Sequence, residues 1–190
     1  NKTMRAMVIS GGGSKGAFAG GIAEYLINVC QNDYDLFVGT STGSLLIPLL
    51  SIGEISRLKE VYTSVNQSSI FSRNPFIIKG RDGEFEIRIN HLNILIGFLK
   101  GSKTFGESKS LKKLILRTIT PNFFEQMKYQ HVDVVVTVSN ISLGKVEYKS
   151  VKDFNREEFC DWIWASANLV PFMSLVRMDC YKYGIGDYLS

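Results

Sequence analysis

The alternation of apolar and polar positions divides the chain into repeated strand, turn and helix units. Met4 to Ser10 is a short apolar run closed by Gly11, Gly12 and Gly13, and behind it, from Ala17 to Val29, apolar residues return at helical spacing (Phe18, Ile22, Tyr25, Leu26 and Val29). The pattern predicts a strand, a glycine loop and a helix. Leu36, Phe37 and Val38 form a second apolar run, with Asp33 and Asp35 in a turn before it, and Gly39 to Ser44 then leads into a helix over Leu45 to Leu50 despite Pro48. The valine-rich run Val132 to Ser139 reads as a central strand buried on both faces of a parallel sheet. Lys145 to Lys149 predicts a further strand, Arg156 to Ala167 a helix, and Ser110 to Thr118 a helix with its basic residues on one side. Strands alternating with helices define an α/β fold. The stretch 66–110 breaks the rhythm, mixing Ser, Asn, Gly and charged residues with an apolar patch from Ile87 to Leu99. It reads either as an insertion or lid over the sheet edge, or as one strand and one core helix.

A length of 190 residues suits a single domain, 1–190, with one core. With 45% hydrophobic and 21% charged residues, the chain is too apolar to be disordered. Its formal charge of +4 is spread along the chain, which gives no nucleic-acid footprint. Three cysteines, Cys30, Cys160 and Cys180, are an odd number at wide spacings and give neither a disulfide framework nor a CxxC metal pair, so a reducing, cytoplasmic location is expected. The longest apolar runs, about eight residues, fall short of the roughly 20 that span a bilayer. The start, Asn1 to Arg5, passes directly into the first strand and leaves no room for a signal-peptide core, so either the protein stays inside the cell or a leader has been removed.

Two turns carry chemistry. Gly11-Gly12-Gly13-Ser14-Lys15-Gly16 joins a strand to a helix, and its glycines let bare backbone amides face an anion at the helix N-terminus. Gly39-Thr40-Ser41-Thr42-Gly43 fits the GxSxG nucleophile elbow, in which small flanking residues permit a tight turn that lifts the serine hydroxyl clear of the sheet. Alone, the first turn also fits a dinucleotide site and the second a helix cap at Ser41. Together they pair a nucleophile with oxyanion donors. The base that such a serine needs is not an evident histidine. His91 falls in the irregular stretch, and His131 precedes the valine strand, at the opposite edge of a parallel sheet from the elbow.

The glycine loop after the first strand, GxSxG about 25 residues later, the lack of a suitable histidine, and Ala165-Ser166-Ala167 followed by Pro171-Phe172 resemble the patatin-like phospholipases over the whole chain. The resemblance implies a three-layer α/β/α fold with a mainly parallel central sheet, and a serine and aspartate dyad that hydrolyses acyl esters of lipids or phospholipids. It makes Ser41 the nucleophile and gives the oxyanion hole to the amides of Gly11, Gly12 and Gly13. Gly39 and Gly43 become the elbow glycines, and Gly16 closes the loop. Lys15 stands where many members carry arginine. The family's aspartate lies in an Asp-Gly turn after the Ala-Ser segment, but here that region reads Tyr181-Lys182-Tyr183-Gly184-Ile185-Gly186-Asp187-Tyr188. The chain's Asp82-Gly83 lies in the irregular stretch. Asp187 serves as base in a shifted turn, or turn residues are absent just before Gly184, or the base is lacking; Asp179 is the other nearby carboxylate.

The scheme needs no cofactor and no metal. Asp33 and Asp35 read as solvated turn residues. The expected partner is a lipid or phospholipid, with peripheral contact to a membrane surface where the Ile87 to Leu99 patch lines an acyl pocket or meets lipid; the sequence specifies no oligomeric state. Two other readings compete. A dinucleotide-binding domain would want an acidic residue at the end of the second strand, whereas Asp33 and Asp35 precede it. A catalytically impaired relative would keep the fold as a lipid-binding or scaffold module.

Overall fold

Two parallel strands set the frame. In the computed structural model, which describes residues 3–12, 16–57, 76–81, 84–89, 109–168, 176–178 and 180–185, β1 (Ala6–Ile9) pairs in parallel with β2 (Leu36–Thr40), placing Ile9 beside Gly39. β2 in turn pairs in parallel with β5 (Asp133–Asn140), Thr40 lying opposite Thr137. Parallel strands need long crossovers, and helices supply them. Between β1 and β2 run α1 (Gly16–Glu24) and a π-helical turn, Tyr25–Val29, while α2 (Thr42–Ser51) follows β2 directly.

β6 (Lys145–Ser150), β7 (Val176–Met178) and β8 (Tyr181–Ile185) complete a six-stranded sheet. β6 and β8 are antiparallel to β5, and β7 is antiparallel to β8. Four strands, β1, β2, β5 and β7, therefore share one direction. This is the mixed, mainly parallel sheet of a three-layer α/β/α fold. A separate antiparallel pair, β3 (Phe76–Arg81) and β4 (Glu84–Ile89), occupies part of the irregular stretch. The rest of 66–110, including most of the Ile87 to Leu99 patch, lies outside the described residues.

Val134, Val136 and Val138 are fully buried, and so are Ser139 and Asn140, so the second half of β5 is covered on both faces. α2 is covered by its neighbours, and Leu46, Ile47, Leu49 and Leu50 belong to the core. α3 (Lys109–Thr118) packs on α5 (Arg156–Ser166). α4 (Pro121–Tyr129) adds Phe123, Phe124 and Met127 to the core; it starts at Thr120, whose side chain accepts from the Phe123 amide, with Pro121 at the first helical position. Most of the periodic stripe of the first helix faces away from the core, Leu26 excepted. Phe18, Ile22, Tyr25 and Val29 are exposed, and Ala19, Ala23, Leu26 and Ile27 meet the core instead.

α5 is fixed firmly along its length. Asn155 and Glu158 form a reciprocal capping box at its start. Arg156 donates to the carbonyls of Ile119 (2.6 Å) and Leu116 (2.8 Å), satisfying acceptors at the end of α3. Lys112 pairs with Asp161 at 2.6 Å, and Phe159, Cys160, Ile163 and Ala165 are buried.

Candidate active site

The elbow departs from ordinary backbone geometry. Ser41 has φ 54° and ψ −120°, a region that side-chain-bearing residues rarely occupy and that costs about 1–3 kcal/mol. Here the strand ends, and α2 begins at the next residue. The glycines on either side explain how so sharp a turn fits. A Cβ on Gly39 would lie 2.6 Å from the Gly43 carbonyl oxygen and 2.8 Å from the Ser44 nitrogen. A Cβ on Gly43 would lie 2.1 Å from the Ile9 carbonyl oxygen. All three obstacles are backbone. GxSxG is required here because strand, helix and β1 approach more closely than any side chain permits.

Hydrogen bonds hold this geometry from three sides. Ser166, at the end of α5, accepts the Ser41 amide at 2.9 Å. The Ser44 hydroxyl donates to the Ser41 carbonyl. Below the turn, the Thr137 hydroxyl donates to the Gly39 carbonyl at 3.0 Å, and the Thr40 and Thr137 hydroxyls form a short hydrogen bond with each other. Ser41 itself is 8% exposed.

The glycine loop leaves β1 at Ile9, whose β2 partner is Gly39, so loop and elbow emerge side by side. Gly11 is half-buried, Gly12 exposed and Gly16 buried. Gly13 and Lys15 lie outside the described residues. α1 and α2 both present their N-termini near this end, and neither has an acidic residue in its first turn to offset the positive end of its dipole. A cleft of about 330 Å³ runs from Ser10, Gly11 and Gly12 between β1 and α1, lined by Met7, Phe18 and Ile22 among others. It is mainly apolar, of a size that takes part of a small ligand. Sequence reasoning missed it, because no periodicity distinguishes a helix face turned toward a cleft from one turned toward a core.

β8 supplies the opposite wall. β6 occupies one edge of β5 over Val135 to Asn140, so β2, paired over Asp133 to Thr137, and β8, paired over Val138 to Asn140, must share the other edge. β8 takes over where β2 turns away. Since they run in opposite directions, the C-terminal ends of β2, at Thr40, and of β8, at Ile185, point at each other. Asp187, Asp179 and the Pro171-Phe172 pair lie outside the described residues.

The position of β8 is fixed by a polar cluster. Buried Asn140 donates to Glu147 at 3.0 Å and to the Tyr183 hydroxyl at 3.3 Å, and Tyr183 packs edge-on against Trp162 with 4.8 Å between ring centres. Lys149 pairs with Glu147 at 2.6 Å and sits 4.1 Å above the Trp162 ring. Burial alone would raise the Glu147 carboxyl, but hydrogen bonds from Lys149, Asn140 and Lys145 outweigh it and hold it down at about 2.

The remaining candidates stand elsewhere. His131 is exposed and precedes β5, at the end of the sheet away from Ser41, while His91 and Asp82-Gly83 lie outside the described residues. Asp35 accepts from the Arg5 amide at 3.0 Å at the start of β1, the wrong end for a ribose. Among the described residues no three His, Cys, Asp or Glu side chains gather as metal ligands, and no helix is long and apolar enough to cross a membrane.

A family model, that of the patatin-like phospholipases, matches residues 7–187. The chain belongs to the patatin-like phospholipase family. No curated protein matches it. Membership gives this patatin-like chain the general character of a lipid acyl hydrolase.

Proposed function

We propose that the protein cleaves carboxylic esters of lipids or phospholipids, with Ser41 as nucleophile and the amides of Gly11, Gly12 and Gly13 as the oxyanion hole. The observation that carries this reading is the Ser41 backbone at φ 54°, wedged between two glycines that admit no side chain and set beside the loop that leaves β1. Strain of this kind persists only where the surroundings enforce it, and it serves to present a hydroxyl.

In the first step a carboxylate takes the Ser41 proton, Oγ bonds to the ester carbonyl carbon, and the carbonyl electron pair moves to oxygen, where the loop amides stabilise it. Collapse expels the lipid alcohol, which takes the proton, and leaves an acyl-serine. Water then repeats the sequence and releases the fatty acid. The acyl chain has room in the apolar cleft beside the loop. Asp187 is the proposed base. It follows Ile185 by two residues, about 7 Å of extended chain at most, and Ile185 ends a strand aimed at the elbow. A carboxylate suits this task when partly desolvated, since its pKa then rises toward the working pH.

The setting proposed is cytoplasmic, with peripheral contact to a lipid surface. Turnover of short and medium chain p-nitrophenyl esters tests the reading. A folded protein without turnover or a reactive serine would instead fit the impaired, lipid-binding alternative.

A further inference from the structure

The hydrogen bond between the Ser41 amide and Ser166 links residues 125 apart in sequence, and neither atom has water as a substitute partner, Ser166 being fully buried. β2 ends at Thr40, so the Ser41 amide has left the sheet ladder, and it precedes the first amide of α2. At such a junction a backbone donor needs an acceptor supplied by a side chain. Ser166 is that acceptor. Its place is set by α5, whose start is fixed about 15 Å away by the Asn155 capping box and by Arg156 on the Ile119 and Leu116 carbonyls.

We infer that Ser166 is a positioning residue for the nucleophile: by accepting the Ser41 amide it holds the strained φ and ψ that aim Oγ toward the space between the glycine loop and the end of β8. The inference rests on Ser41 being the nucleophile. Ser44, Gly39 and Gly43 constrain the carbonyl side and the neighbours of Ser41, whereas Ser166 alone among the described contacts holds its nitrogen. Loss of the acceptor lets the peptide rotate toward relaxed geometry, moving Oγ without removing any group that binds an acyl chain.

The test compares the parent, Ser166→Ala, Ser166→Cys and Val151→Ala. Cysteine fills the same space with a weak acceptor, and Val151, fully buried in the turn after β6, supplies a destabilised protein with an intact elbow. The readouts are the second-order rate of fluorophosphonate labelling and kcat and KM for p-nitrophenyl butyrate, each referred to the folded fraction from thermal melts. Ser166→Ala should lower the labelling rate and kcat about 10- to 100-fold, with KM within about twofold. Ser166→Cys should fall between it and the parent, and Val151→Ala should label at the parent rate. Parent-like labelling of both Ser166 variants, or equal slowing in Val151→Ala, would overturn the inference while leaving Ser41 as nucleophile. Should Ser166→Ala fail to fold, Ser166→Cys decides alone. A folded parent that takes no label would remove the nucleophile reading and this one with it.

Discussion

Replacing Gly43 by alanine probes the joint between the elbow and the glycine loop in a single methyl group. That carbon would start 2.1 Å from the Ile9 carbonyl oxygen and 2.9 Å from the Ile9 carbonyl carbon. Relief requires a separation of about 1 Å, and because both groups are backbone no rotamer can supply it, so β1 or α2 must move at a cost near the upper end of overpacking, about 3 kcal/mol. Alanine's better helix propensity offsets up to about 1 kcal/mol, leaving a net loss of about 2 kcal/mol. With a urea slope of about 2 kcal/mol/M, the midpoint should fall by about 1 M. Activity should fall further than stability, since Ile9 carries the loop, and a shift of about 1 Å between the proposed nucleophile and the proposed oxyanion donors can cost on the order of 10²-fold. Gly21→Ala is the control. Its added carbon meets nothing within 4 Å, it lies inside α1, and it should raise stability by up to about 1 kcal/mol with activity unchanged. A Gly43→Ala protein with the parent's urea midpoint and ester turnover would mean that the close approach of Gly43 to Ile9 constrains neither the fold nor the site.

Asp187→Asn should lower ester turnover by about 10³-fold or more while the fold persists, and parent-level turnover from it would remove Asp187 as the base. Glu147, near 2 in the folded protein against 4.5 unperturbed, binds fewer protons folded than unfolded. Its stabilisation is therefore complete above about pH 4.5 and lost as pH falls through 2, on the order of 1–3 kcal/mol; urea midpoints of Glu147→Gln should be lower than the parent's at pH 7 and converge with them toward pH 2. Burial pushes the Cys160 thiol up to about 12, whereas Cys30 and Cys180 are exposed. Iodoacetamide at pH 8 should add two groups to the native protein by intact mass and a third only in denaturant. Rapid addition of three would mean that α5 opens.

What the chain discloses by itself divides along physical lines. The turn from Gly39 to Gly43 is legible because only glycine tolerates the backbone contacts now seen at its two ends. β5 is legible because Val134, Val135, Val136 and Val138 make it valine-rich, with three of the four fully buried. α4 went unread although Thr120 and Pro121 announce its start. β8 escaped notice for a deeper reason: Tyr181 to Ile185 carries a lysine and a glycine and has no clear alternation. Its place depends on an edge of β5 that falls free only where β2 turns off. The helical spacing of Phe18, Ile22, Tyr25, Leu26 and Val29 predicts a helix correctly, yet of these five only Leu26 meets the core, because periodicity gives an angle and not the side that is covered. Ser166 had no local signature of its contact with Ser41, since a hydrogen bond across 125 residues is a property of the packing of α5.

Whether Ser41 is an activated nucleophile is decided by intact mass after fluorophosphonate treatment, alongside p-nitrophenyl ester turnover, of the native protein and of Ser41→Ala. The native protein should take one adduct and show measurable turnover, and Ser41→Ala should do neither. Turnover that survives Ser41→Ala, or a folded native protein that takes no adduct, would rule Ser41 out as the nucleophile.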